Sequence, residues 1–531
     1  MEKKRFYITT PIYYPSAKLH IGHAYCTTLT DVFARYKRLR GFECYFLTGA
    51  DEHGMKIEKN AKAAGKTPQQ FVDDIVEGFY KLWDLLEISN DDFIRTTQER
   101  HVKVVQDIFS KMLKNDDIYL GKYKGWYCKE CEAFWTDTQV GPDHICPDCK
   151  RPVQTAEEEA YFFKTGKYLD SLLKFFDENP KSLVPESRKN EMINTFIKPG
   201  LDDLCVSRTS FTWGVQIREN PKHVIYVWLD ALTNYITALG YDSADDSKFQ
   251  KFWQDPECET IHILGADITR FHAIYWPMFL ESLGLRKPDR EFVHGLLMMR
   301  ESKMSKSKGN VVDPYPLVER YGVDAVRYYL VREINFGSDG SFSPEQFVER
   351  INTDLANAIG NLLNRTVSMI IKYFDGVIPE YKGRINSVDG ELEDLAKSIV
   401  SNYESAMDDL RLTEGITHVN ELVNRANKYI DETTPWVLAK EGKLEELASV
   451  MNHLANAIFI SGMLLKPVLV KASDKLFEQL GCYEEMIKYE NVYNFGCIQN
   501  VKVNKGDQLF PRLDASIEVP FIQELMGEKK D

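Results

Sequence analysis

The chain has 531 residues, too many for one hydrophobic core, so we expect several domains. Its composition, 44% hydrophobic and 27% charged, is typical of globular proteins. The net charge of −14 argues against general nucleic-acid binding, because phosphate contacts need Lys and Arg, although a local binding face remains compatible with it.

The first fifty residues have the pattern of a βαβ unit. Arg5–Tyr14 predicts a strand, Ala24–Leu39 a helix and Glu43–Thr48 a second strand. The segment His20-Ile21-Gly22-His23 lies where the helix begins, and a helix N-terminus favours anions. Two imidazoles there can hydrogen-bond phosphate oxygens, although this short pattern alone occurs more often by chance.

No apolar run is long enough to cross a membrane. Because Met1-Glu2-Lys3-Lys4 leads straight into the first strand, we expect no signal or transit peptide and a cytoplasmic protein.

The α/β pattern is interrupted between residues about 116 and 222 and then resumes. Beyond Arg350 the pattern is helical to about residue 470. The remaining predicted elements are the helices Pro68–Leu86 and Arg100–Leu113 and the strands His223–Trp228, Thr260–Leu264 and Glu291–His294. We therefore predict a sheet whose two halves are separated by an inserted subdomain.

Four of the ten cysteines form two CxxC pairs within this insertion, Cys128 with Cys131 and Cys146 with Cys149. In a cytosolic chain, two such pairs separated by fourteen residues predict a zinc site rather than disulfides. Four thiolates complete a tetrahedron and leave no open position, so we expect one structural zinc.

A second candidate phosphate site is the segment Lys303-Met304-Ser305-Lys306-Ser307, which alone would be read as a solvated loop. Gly65-Lys66-Thr67 resembles the end of a P-loop, but position 60 is Asn where glycine is required. The two histidines and the lysine segment are therefore the nucleotide candidate.

In this order the two segments resemble the signature motifs of class I aminoacyl-tRNA synthetases. The resemblance implies amino-acid activation by ATP with Mg²⁺, with His20, His23, Lys303 and Lys306 as catalytic residues. By the same resemblance, ATP contacts Gly22, Gly265, Asp267 and Ser305 as well.

Further segments resemble the methionyl-tRNA synthetases nearly residue for residue. They are Pro11–Tyr14, Gly49–Gly54, Tyr226–Ala231 with Tyr235, and Gly265–Ile268 with Phe271, His272, Trp276 and Pro277. The resemblance implies that Asp51 binds the ammonium group of L-methionine. The other implied methionine-binding residues are Ile12, Tyr14, Trp228, Ala231, Tyr235, Ile268 and His272. The alternative is that Trp228, Tyr235 and Trp276 are core aromatics, since an apolar aromatic pocket and a core use the same residues.

The helical region carries Asn361 and Arg365 on one predicted helix face, and Trp436 further on. RNA readers stack and hydrogen-bond splayed bases with such side chains. By resemblance these three residues read the CAU anticodon of tRNA(Met); the alternatives are a capping Asn, a surface Arg and a packing Trp.

The predicted fold class is α/β: a split Rossmann-type catalytic domain with an inserted zinc-knuckle subdomain, followed by a C-terminal α-helical bundle. We expect the catalytic halves at 1–115 and 223–294, the insertion at 116–222, a lysine-loop and stem-contact region at 295–350, and an anticodon-binding domain at 351–531. The family's C-terminal dimerising domain is not expected here, which favours a monomer.

Three other readings stay open at this point. A cysteinyl-type synthetase would need its zinc near the active-site strands. A nucleotidyltransferase that does not act on tRNA would not need Asn361, Arg365 and Trp436. A non-catalytic RNA-binding paralogue would not need His20, His23, Lys303 and Lys306.

Overall fold

The computed structural model describes residues 3–131, 133–135, 137–299, 302–303, 312–334 and 337–526. The chain divides into two compact units. Unit 1 comprises Met1–Leu19, Phe42–Lys81 and Ser89–Gly295. Unit 2 comprises His20–Gly41, Leu82–Ile88 and Leu296–Asp531.

Unit 1 is built on a six-stranded parallel sheet, which confirms the α/β prediction. Parallel strands buried on both faces form near-continuous apolar runs, as Phe6, Tyr7 and Ile8 do in the first strand. In spatial order the strands are β3 (Asp92–Arg95), β2 (Glu43–Ala50), β1 (Arg5–Tyr13), β11 (Cys258–Gly265), β12 (Arg290–His294) and β7 (Leu183–Val184).

The predicted strand His223–Trp228 is wrong. Only β10 (Val224–Ile225) is extended there, and it pairs antiparallel with β9 (Ser207–Arg208), outside the central sheet. The chain then enters a helix, α8 (Val227–Leu232). A short, fully apolar run fits a buried strand and a buried helix equally well, and here tertiary packing decided between them.

The inserted segment has its own four-stranded antiparallel sheet. Its order is β5 (Ala133–Trp135), β4 (Ile118–Cys128), β6 (Gln154–Phe163) and β8 (Leu204–Cys205). The same segment also supplies β7, which pairs with β12 at the edge of the central sheet. The insertion therefore returns to the main sheet before it ends.

Helices surround the sheets of unit 1, and their packed faces form one large apolar core. The α-helices are α2 (Met55–Ala63), α4 (Glu99–Lys114), α5 (Asp137–Val140), α6 (Leu169–Glu178), α7 (Glu186–Glu191), α8, α9 (Asn234–Thr237), α10 (Ser247–Phe249) and α11 (Trp276–Ser282). Shorter 3₁₀ segments are Thr165–Lys167 and Ala266–Ile268, and π-helical segments are Met192–Ile197, Gln250–Gln254 and Phe271–Tyr275. The helix α3 (Pro68–Leu85) belongs to both units.

Unit 2 is mainly helical, as predicted for the region beyond Arg350. It also contains α1 (Ile21–Leu39) and a small sheet of β14 (Ser302–Lys303), β13 (Leu297–Met299) and β15 (Gly340–Phe342). The other helices are α12 (Pro314–Tyr321), α13 (Val323–Glu333), α14 (Pro344–Arg350), the π-helical Ile351–Gly360, α15 (Asn361–Phe374), α16 (Asp389–Asp408), α17 (Leu412–Thr433), α18 (Pro435–Glu441), α19 (Leu444–Leu465), α20 (Ala472–Gln479), the 3₁₀ segment Tyr489–Tyr493 and α21 (Ala515–Leu525).

The expectation that no apolar run could cross a membrane needs a correction: within the described ranges one helix, α19, is long and apolar enough to do so by length and composition alone. Because 94% of its most apolar window is buried inside the protein, it is accounted for as a core helix.

A buried ion pair holds α1 within unit 2. Arg327 and Asp31 are both fully buried, and Arg327 Nη2 lies 2.7 Å from Asp31 Oδ2. Nη2 also donates to the carbonyl oxygen of Pro467 at 2.9 Å, while Nη1 and Nε donate to those of Leu86 and Val468 at 3.0 and 3.1 Å. A buried charge needs such complete pairing, so this single arginine ties three separate parts of unit 2 together.

Candidate functional site

Two histidines cap the first helix, in place of the more usual Ser, Thr or Asp. His20 is the N-cap residue, and its Nδ1 accepts a hydrogen bond from the backbone N–H of Gly22 at 3.1 Å. In return, His23 Nδ1 accepts from the backbone N–H of His20 at 3.0 Å. This reciprocal arrangement is a capping box, and it confirms that the helix begins at the histidines.

The capping box determines which nitrogen of each neutral ring carries hydrogen. A nitrogen that accepts from a backbone N–H has no proton, so both rings carry N–H on Nε2. A side chain on Gly22 would meet the His20 ring, since an added Cβ would lie 3.0 Å from His20 Cε1. Glycine therefore leaves the first ring room to cap the helix.

Within unit 2 the start of α1 contacts the chain that follows the lysine segment. The backbone N–H of Ile21, the first residue of α1, donates to the carbonyl oxygen of Val312 at 3.0 Å. Val312 follows the lysine segment closely, and the backbone of Lys303 lies on β14. The predicted ATP-binding residues Ser305 and Lys306 lie outside the described residues.

The predicted nucleotide contacts Gly265 and Asp267 lie at the end of β11 in unit 1. A Cβ on Gly265 would approach Asp267 Oδ1 to 2.8 Å, so the carboxylate occupies the space that a side chain would take. Asp267 is exposed, at the carboxyl end of the parallel strands where such sheets bind ligands.

Three of the predicted methionine-binding residues form one hydrogen-bonded group. Tyr235 Oη lies 2.8 Å from His272 Nε2, and His272 Nδ1 lies 3.1 Å from the carbonyl oxygen of Ile268. A carbonyl only accepts, so Nδ1 carries the proton and Tyr235 donates to Nε2. Burial lowers the pKa of His272 to about 4, so this buried ring is neutral at neutral pH.

The other predicted methionine-binding residues belong to the ends of β1 and β2 and to α8. Ile12 and Trp228 pack against a buried cluster that contains Ala231. The backbone N–H of Asp51 donates to the carbonyl oxygen of Tyr13 at 3.0 Å, next to Tyr14. Trp276, in contrast, is fully buried and donates to His262 Nε2 at 3.3 Å, as expected of a core aromatic.

Sequence reasoning missed a buried network beside these residues. Asp230 Oδ2 lies 2.7 Å from His53 Nδ1, and Asp230 Oδ1 lies 2.8 Å from His101 Nε2. Burial alone would raise the pKa of the Asp230 carboxyl, but the two histidines bring it down to about 2. The network joins α8 to α4 and to the segment that follows Asp51. His53 and Asp230 lie inside the motifs, whereas nothing in the sequence marks His101.

The four predicted metal ligands are brought together at the end of β4 and in the connecting segments around it. The sulfurs of Cys128, Cys131, Cys146 and Cys149 all lie within 4.8 Å of one another. Cys128 Sγ is 3.4 Å from Cys149 Sγ, and Cys146 Sγ is 3.7 Å from Cys131 Sγ. A tetrahedral zinc with bonds of about 2.3 Å separates its sulfurs by about 3.8 Å, so the group fits a metal ion of this kind.

The three predicted base-reading residues lie on two helices of unit 2 that both pack against α19. Asn361 and Arg365 lie on α15, and Trp436 lies on α18 with 47% of its surface exposed. Arg365 Nη2 lies 3.2 Å from Oδ1 of Asp431, a residue of α17 whose side chain is exposed. An exposed indole on a helix is available for stacking, unlike a packing tryptophan.

Comparison with known families places these features in one class. Residues 6–158 and 151–367 match the family described as tRNA synthetases class I (M), and residues 378–512 match the anticodon binding domain of methionyl tRNA ligase. The parallel sheet and the histidine-capped helix are therefore those of a class I aminoacyl-tRNA synthetase.

Individual relatives narrow the class to one family. The chain is 55% identical to a methionine–tRNA ligase of Halalkalibacterium halodurans, over 100% of this chain and 81% of the relative. It is 54% identical to that of Bacillus subtilis, over 98% and 80%. A structure of Mycobacterium tuberculosis methionyl-tRNA synthetase in complex with methionyl-adenylate has a TM-score of 0.91 at 40% identity, covering 96% of this chain and 100% of the other. The chain belongs to the methionyl-tRNA synthetase family.

Proposed function

We propose that the protein joins L-methionine to the 3′ end of tRNA(Met) in two steps. A carboxylate oxygen of methionine attacks the α-phosphorus of ATP, the bond to the β-phosphate breaks, and pyrophosphate leaves. A ribose hydroxyl of the terminal nucleotide then attacks the carbonyl carbon, and AMP leaves. Besides family membership, the observation that supports this proposal is the hydrogen bond from Ile21 to Val312, which holds the first helix turn against the chain that follows the lysine segment.

The histidines and lysines would bind the phosphates. In the tautomer that the capping box imposes, His20 and His23 each present an Nε2–H donor near the positive end of α1. Negative charge grows on the leaving pyrophosphate, so donors and cations aimed at it lower the barrier. Lys303, Ser305 and Lys306 would supply further contacts, with Mg²⁺ bound to ATP. Gly22 leaves the ring of His20 room to cap the helix. Gly265 and Asp267 would contact ATP as well, as the family resemblance implies.

The amino acid would lie in a pocket that we call the methionine pocket. It consists of Ile12, Tyr14, Asp51, Trp228, Ala231, Tyr235, Ile268 and His272. Asp51 supplies a counter-charge for the ammonium group. The thioether is polarisable and apolar, and it suits aromatic rings with neutral polar groups. His272 is neutral and already hydrogen-bonded, so this residue does not present a charge to the sulfur.

Amino-acid-dependent exchange of pyrophosphate into ATP, without tRNA, tests this function. We expect exchange with methionine and background exchange with the other nineteen standard amino acids. Exchange with a different amino acid would contradict the assignment of the methionine pocket. No exchange with any amino acid would contradict activation itself.

The cysteine cluster would hold one structural zinc ion through Cys128, Cys131, Cys146 and Cys149. Four thiolates fill the coordination sphere, so the ion would stabilise the inserted sheet and take no part in the reaction.

We predict that Cys149→Ser lowers the zinc content from one ion per chain to well below one. The measurement is metal analysis of the purified protein by mass spectrometry. The matched control is Cys44→Ser, since Cys44 is also half-buried but lies on β2, and it should keep one zinc. Equal zinc content in the two variants would contradict the assignment.

Unit 2 would read the CAU anticodon through Asn361, Arg365 and Trp436. An arginine and an exposed indole can stack on splayed bases, and an amide can read their edges. The charge of Arg365 is only partly offset by an exposed aspartate, which leaves it able to contact RNA.

Replacing Trp436 with Ala should reduce kcat/KM for tRNA(Met) by about 5- to 150-fold, since stacking one base contributes about 1–3 kcal/mol. Pyrophosphate exchange without tRNA should be unchanged. The control is Tyr483→Ala, which removes another exposed aromatic of unit 2. Equal loss of tRNA charging in both variants would mean that Trp436 does not bind the anticodon.

We place the protein in the cytoplasm, where translation occurs and where its ten cysteines would not be oxidised to disulfides. We propose the same domain division as in the sequence analysis: catalytic halves at 1–115 and 223–294, an insertion at 116–222, a stem-contact region at 295–350 and an anticodon-binding region at 351–531.

A further inference from the structure

Arg270 holds its guanidinium among aromatic rings. Its Cζ lies 4.9 Å from the ring centre of Phe196, 5.1 Å from Trp135, and 5.7 Å from both Phe271 and Tyr275. Nη2 donates to Tyr275 Oη at 3.0 Å. Among the described residues, the buried Nε has no hydrogen-bond partner and no carboxylate lies within ion-pair distance of Arg270. Within this part of the chain, the rings are the main compensation for its charge.

These rings come from separate parts of unit 1. Trp135 is 1% exposed and packs with Cys128 and Cys146 in the small core of the cysteine cluster. Phe196 lies on the π-helical Met192–Ile197. Arg270 itself lies between Ile268 and His272, which are both in the methionine pocket. One side chain thus connects the cysteine cluster to the pocket wall.

The residue after Arg270 extends this connection to another pocket residue. Phe271 stacks on Trp228 with ring centres 3.7 Å apart and an angle of 4° between the rings. Stacked rings this close move together, because a gap of even 1 Å loses much of their contact energy. A shift of Arg270 would therefore reach Trp228 through Phe271.

We propose that Arg270 is a positioning residue that fixes Phe271 and Trp228 against the cysteine cluster, so that methionine affinity depends on the contact between Trp135 and Arg270. This inference rests on the proposed methionine pocket. Arginine suits the task better than lysine because its planar guanidinium can face several rings at once.

A double-mutant cycle tests the proposal. Trp135→Leu, Arg270→Leu and the double variant are compared in methionine-dependent pyrophosphate exchange, with separate KM values for methionine and ATP, and by calorimetric titration with methionine. Each single change should raise the KM and Kd for methionine by roughly 2- to 30-fold, from the usual strength of cation–π contacts. The KM for ATP should not change. The double variant should bind methionine no more weakly than the single variant with the larger effect, since either single change already removes the contact between Trp135 and Arg270.

Two further variants separate positioning from a general loss of structure. Arg270→Lys keeps the charge and should recover part of the methionine affinity. Arg320→Leu removes an arginine that packs on Phe521 in unit 2 and should leave methionine binding unchanged. If Trp135→Leu loses zinc or fails to fold, the cycle is repeated with Trp135→Phe. Additive effects, or an unchanged methionine KM in a folded Arg270→Leu protein, would overturn the proposal.

The variant Trp228→Ala distinguishes this failure from failure of the pocket assignment. If Trp228→Ala weakens methionine binding and Arg270→Leu does not, the pocket stands and only the positioning role is lost. If Trp228→Ala leaves methionine binding unchanged, the pocket assignment itself is wrong.

Discussion

Replacing His23 with Ala is expected to lower kcat for methionine-dependent pyrophosphate exchange by about 10²–10³-fold, the usual effect of removing one preorganised donor to transition-state charge. The KM for methionine should stay the same, because His23 would contact the phosphates. His23→Gln should retain more activity than His23→Ala, since its amide N–H can lie near the position of Nε2.

The effect of His23→Ala on the helix must be separated from its effect on the chemistry. His23 Nδ1 also accepts from the backbone N–H of His20, so part of the loss would come from a weakened cap, which contributes about 1 kcal/mol. His418→Ala is the control, because His418 lies on α17 and contacts Glu414 and Glu421 of the same helix. A fall in kcat no larger than that of His418→Ala would contradict a role for His23 in phosphate binding.

Replacing Arg327 with Met is expected to destabilise unit 2 by about 3–5 kcal/mol, because it leaves Asp31 as a buried charge with a weakened set of partners. Thermal and urea unfolding should show a lower midpoint for the helical signal. The double change Arg327→Met with Asp31→Leu should recover part of the loss, since two apolar groups leave no buried charge behind.

The exposed pair Arg320–Glu518 provides a matched control in the same unit. Its atoms lie 2.6 Å apart, but Arg320 is 40% exposed, and exposed pairs contribute only about 0–1 kcal/mol. Arg320→Met should therefore change the midpoint little. Equal destabilisation by Arg320→Met and Arg327→Met would show that the buried pair has no special role.

The sequence predicted those parts of the fold that depend on local pattern. The strand Arg5–Tyr13 and the helix from the histidines to Leu39 follow from apolar periodicity and from residues next to one another in the chain. The four cysteines were found for the same reason, since each CxxC pair supplies two ligands from one turn.

Features that depend on distant residues could not be predicted. The run His223–Trp228 divides between a short strand and α8 because of what packs on it. The strand β7 has two residues, too few for any pattern. The network of Asp230 with His53 and His101, and the contact of Arg270 with Trp135, join residues far apart in the chain. The periodic pattern of a sequence does not reveal contacts between residues that are far apart in the chain.

The reciprocal histidine cap has a consequence for the response of the protein to acid. A proton added to Nδ1 of His20 or His23 would turn an acceptor of a backbone hydrogen bond into a donor that faces another donor. A proton at this position would therefore add positive charge at the proposed phosphate site and at the same time break the cap that orients the rings. The added charge would raise the affinity for a nucleotide, whereas loss of the cap would lower it. The two effects oppose each other, so a lower pH would not simply tighten the binding of ATP.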